Sequence, residues 1–256
     1  MRRVSDQNVG YAIQPVTNTA LILANVVVFF FELTIPPPQL NAFFQQWGAV
    51  PANISQFQNL ITLFTAMFLH GSWMHLIGNM AFLKLFGDNI EDAMGHWSYL
   101  FFYLLSGLGA AAVQVLIDPT STIPMIGASG AIAGVMGAYL VLFPKGSFYI
   151  ALGSGLASRA LSVPAFALIV LWFLQQLFNG IASLGGSASF AGGVAFWAHV
   201  GGFLTGAVLV WLFKDQESVD RQRAAQAAQQ TTPRDATSVA SSRPPVLGSK
   251  NRRGPF

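Results

Sequence analysis

Six stretches of mostly apolar residues set the terms for this chain: 17–35, 71–88, 97–117, 126–143, 163–181 and 195–213. Each approaches the roughly 20 residues that a helix needs to cross the hydrocarbon core of a bilayer. A soluble fold of this size would need charge on its surface. Soluble domains carry about 25% charged residues, whereas this chain has 9%, with 53% hydrophobic residues and a mean hydropathy of +0.53. The apolar surplus must face lipid, and the expected fold is an all-α polytopic membrane protein with six transmembrane helices. The sequence contains no cysteine, which excludes disulfide frameworks and thiolate metal sites.

Lysine and arginine concentrate on the cytoplasmic side of membrane proteins. Arg2 and Arg3 precede the first stretch, Lys84 lies near the end of the second, and Lys145 and Arg159 fall between the fourth and fifth. Lys214 and the remaining basic residues follow the sixth, while the connections after the first, third and fifth hold no Lys or Arg. Six passes with both termini cytoplasmic therefore place every cation inside. The lead Met1–Val4 is too short for a signal peptide, so the first stretch reads as a retained span.

The expected organisation is a cytoplasmic N-terminal segment (1–16), a membrane domain (17–214) and a cytoplasmic tail (215–256). Its Gln, Ala, Ser, Pro and Arg content predicts a disordered tail after a short helical start. Tail arginines are suited to anionic lipid. Residues 36–59 read as a long outer loop whose Phe43, Phe44, Trp47 and Phe57 suit the headgroup region. Residues 146–163, interrupted by Gly, Ser and Arg159, read as a loop or interfacial piece.

Polar residues inside spans are costly and point to function. Ser129 precedes Lys145 by sixteen residues and His199 precedes Lys214 by fifteen, both on inward-running stretches. At about 1.5 Å per residue, each lies roughly 22–24 Å above the cytoplasmic boundary. His75 precedes Asp88 by thirteen residues, which gives a rise of roughly 20 Å. Three polar groups on three helices thus share one layer. Asn79 follows His75 by four residues and lies on the same helix face. Gly130, Gly134 and Gly137 in the fourth stretch and the Gly202/Gly206 pair in the sixth provide flat surfaces for close helix approach. That approach would bring Ser129 to His199.

A serine hydroxyl needs a base to become a nucleophile, and His199 could take its proton and later protonate the leaving amine. His75, Asn79 and the Ser129 N–H could supply donors to an oxyanion. No Asp or Glu shares the layer, so the expected arrangement is a dyad. Plainer readings exist for each residue. A serine among glycines is ordinarily a packing residue, and His75 with Asn79 could clamp two helices together. Gly127-Ala-Ser-Gly130 matches part of the nucleophile-elbow motif, but that motif belongs on a strand–turn–helix of a soluble sheet.

His70 and His75, five residues apart, diverge by about 140° on a helix, and no carboxylate accompanies them, so no metal site is expected. Asn25, Glu32, Gln114, Gln175, Gln176 and Asn179 read as interhelical contacts or interface residues. Gln175 and Gln176 could also border a substrate path.

The runs Phe68-Leu-His-Gly-Ser-Trp-Met-His-Leu-Ile-Gly-Asn-Met80, Phe86-Gly-Asp-Asn-Ile-Glu-Asp92, Gly127-Ala-Ser-Gly130 and Ala198-His-Val-Gly-Gly202 resemble the rhomboid intramembrane serine proteases. The resemblance extends from about Phe57 to Phe213, in order. It implies a six-helix bundle that cleaves peptide bonds in or near transmembrane segments of single-span or polytopic membrane proteins. By the same resemblance Ser129 is the nucleophile, His199 the base, and His75 and Asn79 the oxyanion donors. His70 matches a further family histidine, and Gly127, Gly130, Gly202 and Gly206 support the site. The fifth span would be the mobile gate for substrate, with the lipid bilayer as the only other partner. Neither metal nor another cofactor is implied, and no nucleic acid.

The sequence departs from the family in two places. Some members have Trp-Arg where this chain has Ile61-Thr62, and some have a tyrosine, stacked on the histidine, at the position of Ala133. The expected location is a bacterial plasma membrane. The alternatives are a catalytically silent rhomboid-like protein that binds and escorts membrane helices, and a channel or transporter using the same polar layer.

Overall fold

The computed structural model describes residues 4–6, 12–152, 159–184 and 195–231. Helix α1 (Val16–Glu32) is followed by α2 (Pro37–Trp47), α3 (Pro51–Ile54) and α4 (Thr62–Thr65), the last running into a 3₁₀ turn at Ala66–Phe68. Then come α5 (Trp73–Met94), α6 (His96–Ile117), α7 (Ser129–Leu142), α8 (Ala165–Leu184), α9 (Phe196–Phe213) and α10 (Gln216–Thr231). By length and composition three of them can cross a membrane: α6, α8 and α9. Helices α1 and α7 are apolar but shorter. Helix α5 outruns its apolar stretch, and its last turns bury Asp88, Glu91 and Asp92.

Local chemistry sets these boundaries. Proline occupies the first turn of α2, where a missing N–H costs nothing. The Ser72 hydroxyl caps α5 by accepting from the His75 N–H at 3.2 Å. Gly95, at φ +80°, ends α5 and allows the chain to turn directly into α6.

Helix α7 lies at the centre, with every residue from Ala131 to Tyr139 buried. It meets α9 through glycines. A Cβ built at Gly202 would collide with the Gly130 carbonyl oxygen, and one at Gly206 with the Gly134 backbone. On the other flank of α9, Gly109 of α6 accommodates Thr205 and Gly201 accommodates Val113. Around the C-terminal end of α7 the core is filled by Phe86, Tyr139, Phe143 and Phe148, with the Phe86 ring 5.1 Å from both Tyr139 and Phe148. Large apolar side chains on the outside remain exposed, among them Leu171, Phe178, Val208 and Leu212. This is the inverse of a soluble surface and the expected dress of a lipid-facing one.

The structure corrects four of the sequence expectations. The fold is not purely α, because β1 (Val4–Asp6), β2 (Ser147–Leu152) and β3 (Arg159–Pro164) form an antiparallel sheet in the order β1-β2-β3. Residues 146–163 are therefore largely strands rather than a loop, in a register that pairs Phe148 with Val163 and Ile150 with Leu161. The glycines and serines that interrupt the apolar run free it from the helical period, and Phe148 anchors it in the core.

The outer segment 36–59 folds into α2 and α3, tied to the connection after α6 by Ala49 and Met125, which exchange N–H···O bonds of 3.0 and 2.9 Å. The tail starts with a sixteen-residue helix, α10, longer than the short start expected. Its Val219 and Gln222 are buried, and Arg221 donates to Asp92 at 2.8 Å. Asp215 caps it by accepting from the Ser218 N–H, and hydrogen bonds from Ser218 hold its carboxyl below the usual range. The expected disorder of 232–256, with its arginines, lies outside the described residues, as do Arg2 and Arg3.

Candidate active site

Ser129 is the first residue of α7 and His199 stands in the first turn of α9. The glycine contact between these helices fixes their separation, and His199 Nε2 lies 2.7 Å from Ser129 Oγ. Helix α7 is only fourteen residues long, a rise of about 21 Å, so its N-terminus falls short of a full crossing. The first-turn N–H groups of a helix lack intrahelical acceptors, and Ser129 opens that turn.

A cavity of about 670 Å³ lies over this pair. His75, Asn79, Ser129 and His199 all line it, together with Trp172 and Met136. The structure thus brings the four residues singled out by depth to one space. Gly127 makes the approach possible in two ways. Its φ of +119° is a conformation that side-chain-bearing residues rarely adopt, and a Cβ there would stand 2.6 Å from His75 Nε2. Its N–H donates to the Ala66 carbonyl at 2.8 Å, holding the turn before α7 against the 3₁₀ segment.

His70 is fully buried outside the cavity wall, where it organises Asn79. The Asn79 amide donates to His70 Nε2 at 2.9 Å, and His70 Nδ1 faces the Phe68 carbonyl at 3.3 Å. One Asn79 amide proton is thereby engaged and the other is free to face the cavity. The His70 backbone N–H in turn donates to the buried Glu32 carboxyl at 3.1 Å. The His70 and His75 rings meet edge to face with centroids 5.0 Å apart, not diverging as helical spacing implied, because His70 precedes α5. Among the described residues, no three His, Asp or Glu side chains are grouped to hold a metal.

The sequence did not single out what lies behind His199. Gln176 of α8 places its Oε1 2.8 Å from His199 Nδ1, and the Trp172 ring centroid stands 5.7 Å from the imidazole. Ala133, the position of the tyrosine in some family members, is completely buried in the α7 core. Gln114 of α6 accepts from the Ala198 N–H at 3.2 Å, so it satisfies an orphan donor at the α9 N-terminus next to His199. The available signal was the three- and four-residue spacing of Ala165, Ile169, Trp172, Gln176 and Gly180, which marks the face that α8 turns inward.

Comparison with known proteins bears on what this arrangement is. The chain is 31% identical over 153 residues to Rhomboid-like protein 11, chloroplastic, of Arabidopsis thaliana, covering 58% of this chain and 50% of that one. It is 28% identical over 205 residues to Rhomboid protease AarA of Providencia stuartii, covering 74% and 69%. Rhomboid protein 1, mitochondrial, of Saccharomyces cerevisiae is 26% identical over 214 residues, covering 82% and 56%. The alignments span half or less of the length of the first plant relatives. These names divide among chloroplast, mitochondrion and a bacterium, and they do not support the expected bacterial plasma membrane. Residues 58–216, well over half of the chain, match the rhomboid domain. With its apolar helices and exposed apolar belt, this chain is an integral membrane protein that belongs to the rhomboid family.

Proposed function

We propose that this protein is an intramembrane serine endopeptidase that cleaves peptide bonds in or near transmembrane segments of membrane proteins. The single observation that carries the reading is the 2.7 Å approach of His199 Nε2 to Ser129 Oγ at the wall of a cavity that His75 and Asn79 also line, inside an apolar bundle. His199 takes the Ser129 proton as Oγ attacks the scissile carbonyl. The tetrahedral oxyanion is met by His75, the second Asn79 amide proton and the Ser129 N–H. Collapse breaks the C–N bond, and the proton on Nε2 passes to the leaving amine. Water then attacks the acyl group, giving its proton to His199, which returns one to Ser129.

The proposed membrane arrangement is six passes over residues 17–214 with both termini cytoplasmic. The short α7 and the non-helical residues before it suit this arrangement. Irregular backbone at membrane depth is tolerated where it lines a water-filled cavity, and hydrolysis needs such access. Substrate enters laterally beside α8.

Reconstituted protein with a transmembrane substrate, in parallel with fluorophosphonate labelling, tests the reading. The wild-type protein cleaves and is labelled at Ser129, and Ser129→Ala and His199→Ala insert normally but do neither. Full cleavage by Ser129→Ala would sink the proposal. Substrate binding without cleavage would identify an escort protein, and solute flux without labelling a channel.

A further inference from the structure

We infer that Gln176 is the positioning residue of His199, so that the helix bordering the proposed substrate path also orients the base. The inference rests on the proposed function and extends it to a residue on a third helix.

The geometry is specific. An amide oxygen only accepts hydrogen bonds, and Gln176 Oε1 stands 2.8 Å from His199 Nδ1. That pairing places the imidazole proton on Nδ1 and leaves Nε2 as an acceptor, aimed at the Ser129 hydroxyl 2.7 Å away. It is the tautomer that a general base requires, and selecting it is the role of the third member in hydrolase triads. Gln176 does this without charge: it orients the ring but lends the imidazolium no carboxylate. It is 7% exposed, while its neighbour Gln175 is exposed, so Gln176 alone of the pair is committed to the interior. Trp172, one turn earlier on α8, closes on the same ring. No other hydrogen-bond partner of Nδ1 is seen among the described residues.

The placement has a consequence for control. Ser129 and His199 ride on helices locked by glycine contacts, whereas Gln176 rides on α8, which buries only Ala165, Ile169, Gln176 and Gly180. When α8 moves aside, the base loses its orienter. It is re-armed only when α8 returns or when bound substrate restores an acceptor at Nδ1.

Three variants test this by the rate of Ser129 fluorophosphonate labelling, turnover of a transmembrane substrate, and ¹⁵N NMR of the histidine rings in micelles. Gln176→Leu keeps the volume and removes the acceptor. Labelling should slow by about 10–10²-fold, kcat should fall by the same factor at unchanged KM, and the His199 nitrogens should lose the pattern of a single Nδ1–H tautomer. Gln176→Glu keeps an acceptor and should restore the labelling rate and the tautomer. Trp172→Phe, which retains a ring and leaves the Gln176 bond in place, should leave the tautomer unchanged. Wild-type labelling and an unchanged tautomer in Gln176→Leu would overturn the inference while leaving the proposed function intact. Equal losses in the Leu and Glu variants, with the tautomer unmoved, would reduce Gln176 to a packing residue and also overturn it. A wild-type protein that is not labelled overturns both readings.

Discussion

Helices α7 and α8 both pack against α9, by opposite means. Along its glycine seam the α7 contact is backbone on backbone, with Gly202 against Gly130 and Gly206 against Gly134, and no side chain stands between the helices at those four positions. The α8 contact is side chain on side chain: Phe173 on Phe203 at 4.5 Å, Trp172 on His199, and the Trp197 indole donating to the Gly180 carbonyl at 3.1 Å. Backbone contacts have one arrangement, whereas side-chain contacts can be broken by rotation and remade. In the proposed mechanism the difference separates what stays fixed, the Ser129–His199 distance, from what opens, the passage beside α8.

Four measurements would break or sharpen this contrast. The largest effect is expected at the proposed oxyanion donors on α5. His75→Ala or Asn79→Ala should lower turnover by about 10²–10³-fold, and near-wild-type turnover in both would remove them from the mechanism. Next comes the glycine seam itself. Gly206→Val forces a side chain into the Gly134 backbone and should destabilise the bundle by about 2–3 kcal/mol, read by denaturant titration in micelles, with labelling lost in proportion. If Gly206→Val is tolerated, the seam is not rigid and the contrast fails.

The third measurement compares the two helices directly. By hydrogen exchange in micelles, the central amides of α8 should exchange at least about tenfold faster than those of α7, since few buried contacts mean a low local opening energy. Equal protection would make α8 a structural helix rather than a gate. The smallest effect is expected at Leu171, which is 68% exposed on the outer face of α8. Leu171→Ala should change stability by no more than about 0.5 kcal/mol, and a larger loss would mean that this face is covered.

The sequence revealed the site more readily than the fold around it. Counting residues back from Lys145, Lys214 and Asp88 placed Ser129, His199 and His75 in one layer because helical rise is nearly invariant, so position along the chain converts to depth. Asn79 followed from the four-residue helical spacing. The glycines pointed to α7 and α9 for the same reason, since no residue but glycine permits that approach. Gln176 was hidden by its company, standing beside Gln175 and near Asn179 in a stretch with three amides. Which amide faces inward depends on the rotation of α8, which is set by its packing against α9 and not by its own composition. The β2–β3 pair is not legible locally: Gly, Ser and Arg159 interrupt the apolar run as a loop or interfacial piece would, and the sheet pairing depends on a partner, β1, distant in sequence. The length of the helical start was underestimated because α10 is mostly polar, with one core residue, Val219, and is held by polar contacts to α5 and α7, such as Arg223 to the Leu142 carbonyl at 2.7 Å.

The bond from His70 to Glu32 has a bearing on where the working unit ends. Glu32 is the last residue of α1, and the rhomboid domain match begins only at residue 58. Yet Glu32 holds the His70 backbone, His70 holds the Asn79 amide, and Asn79 faces the cavity. At the opposite end of α1, the Glu91 carboxylate accepts from the Thr17 and Asn18 N–H groups at 2.9 and 2.7 Å. Helix α1 is thus pinned at both ends to α5 and its approach. A protein trimmed to the recognisable domain would keep every residue assigned to the chemistry and lose the brace that aims one of them.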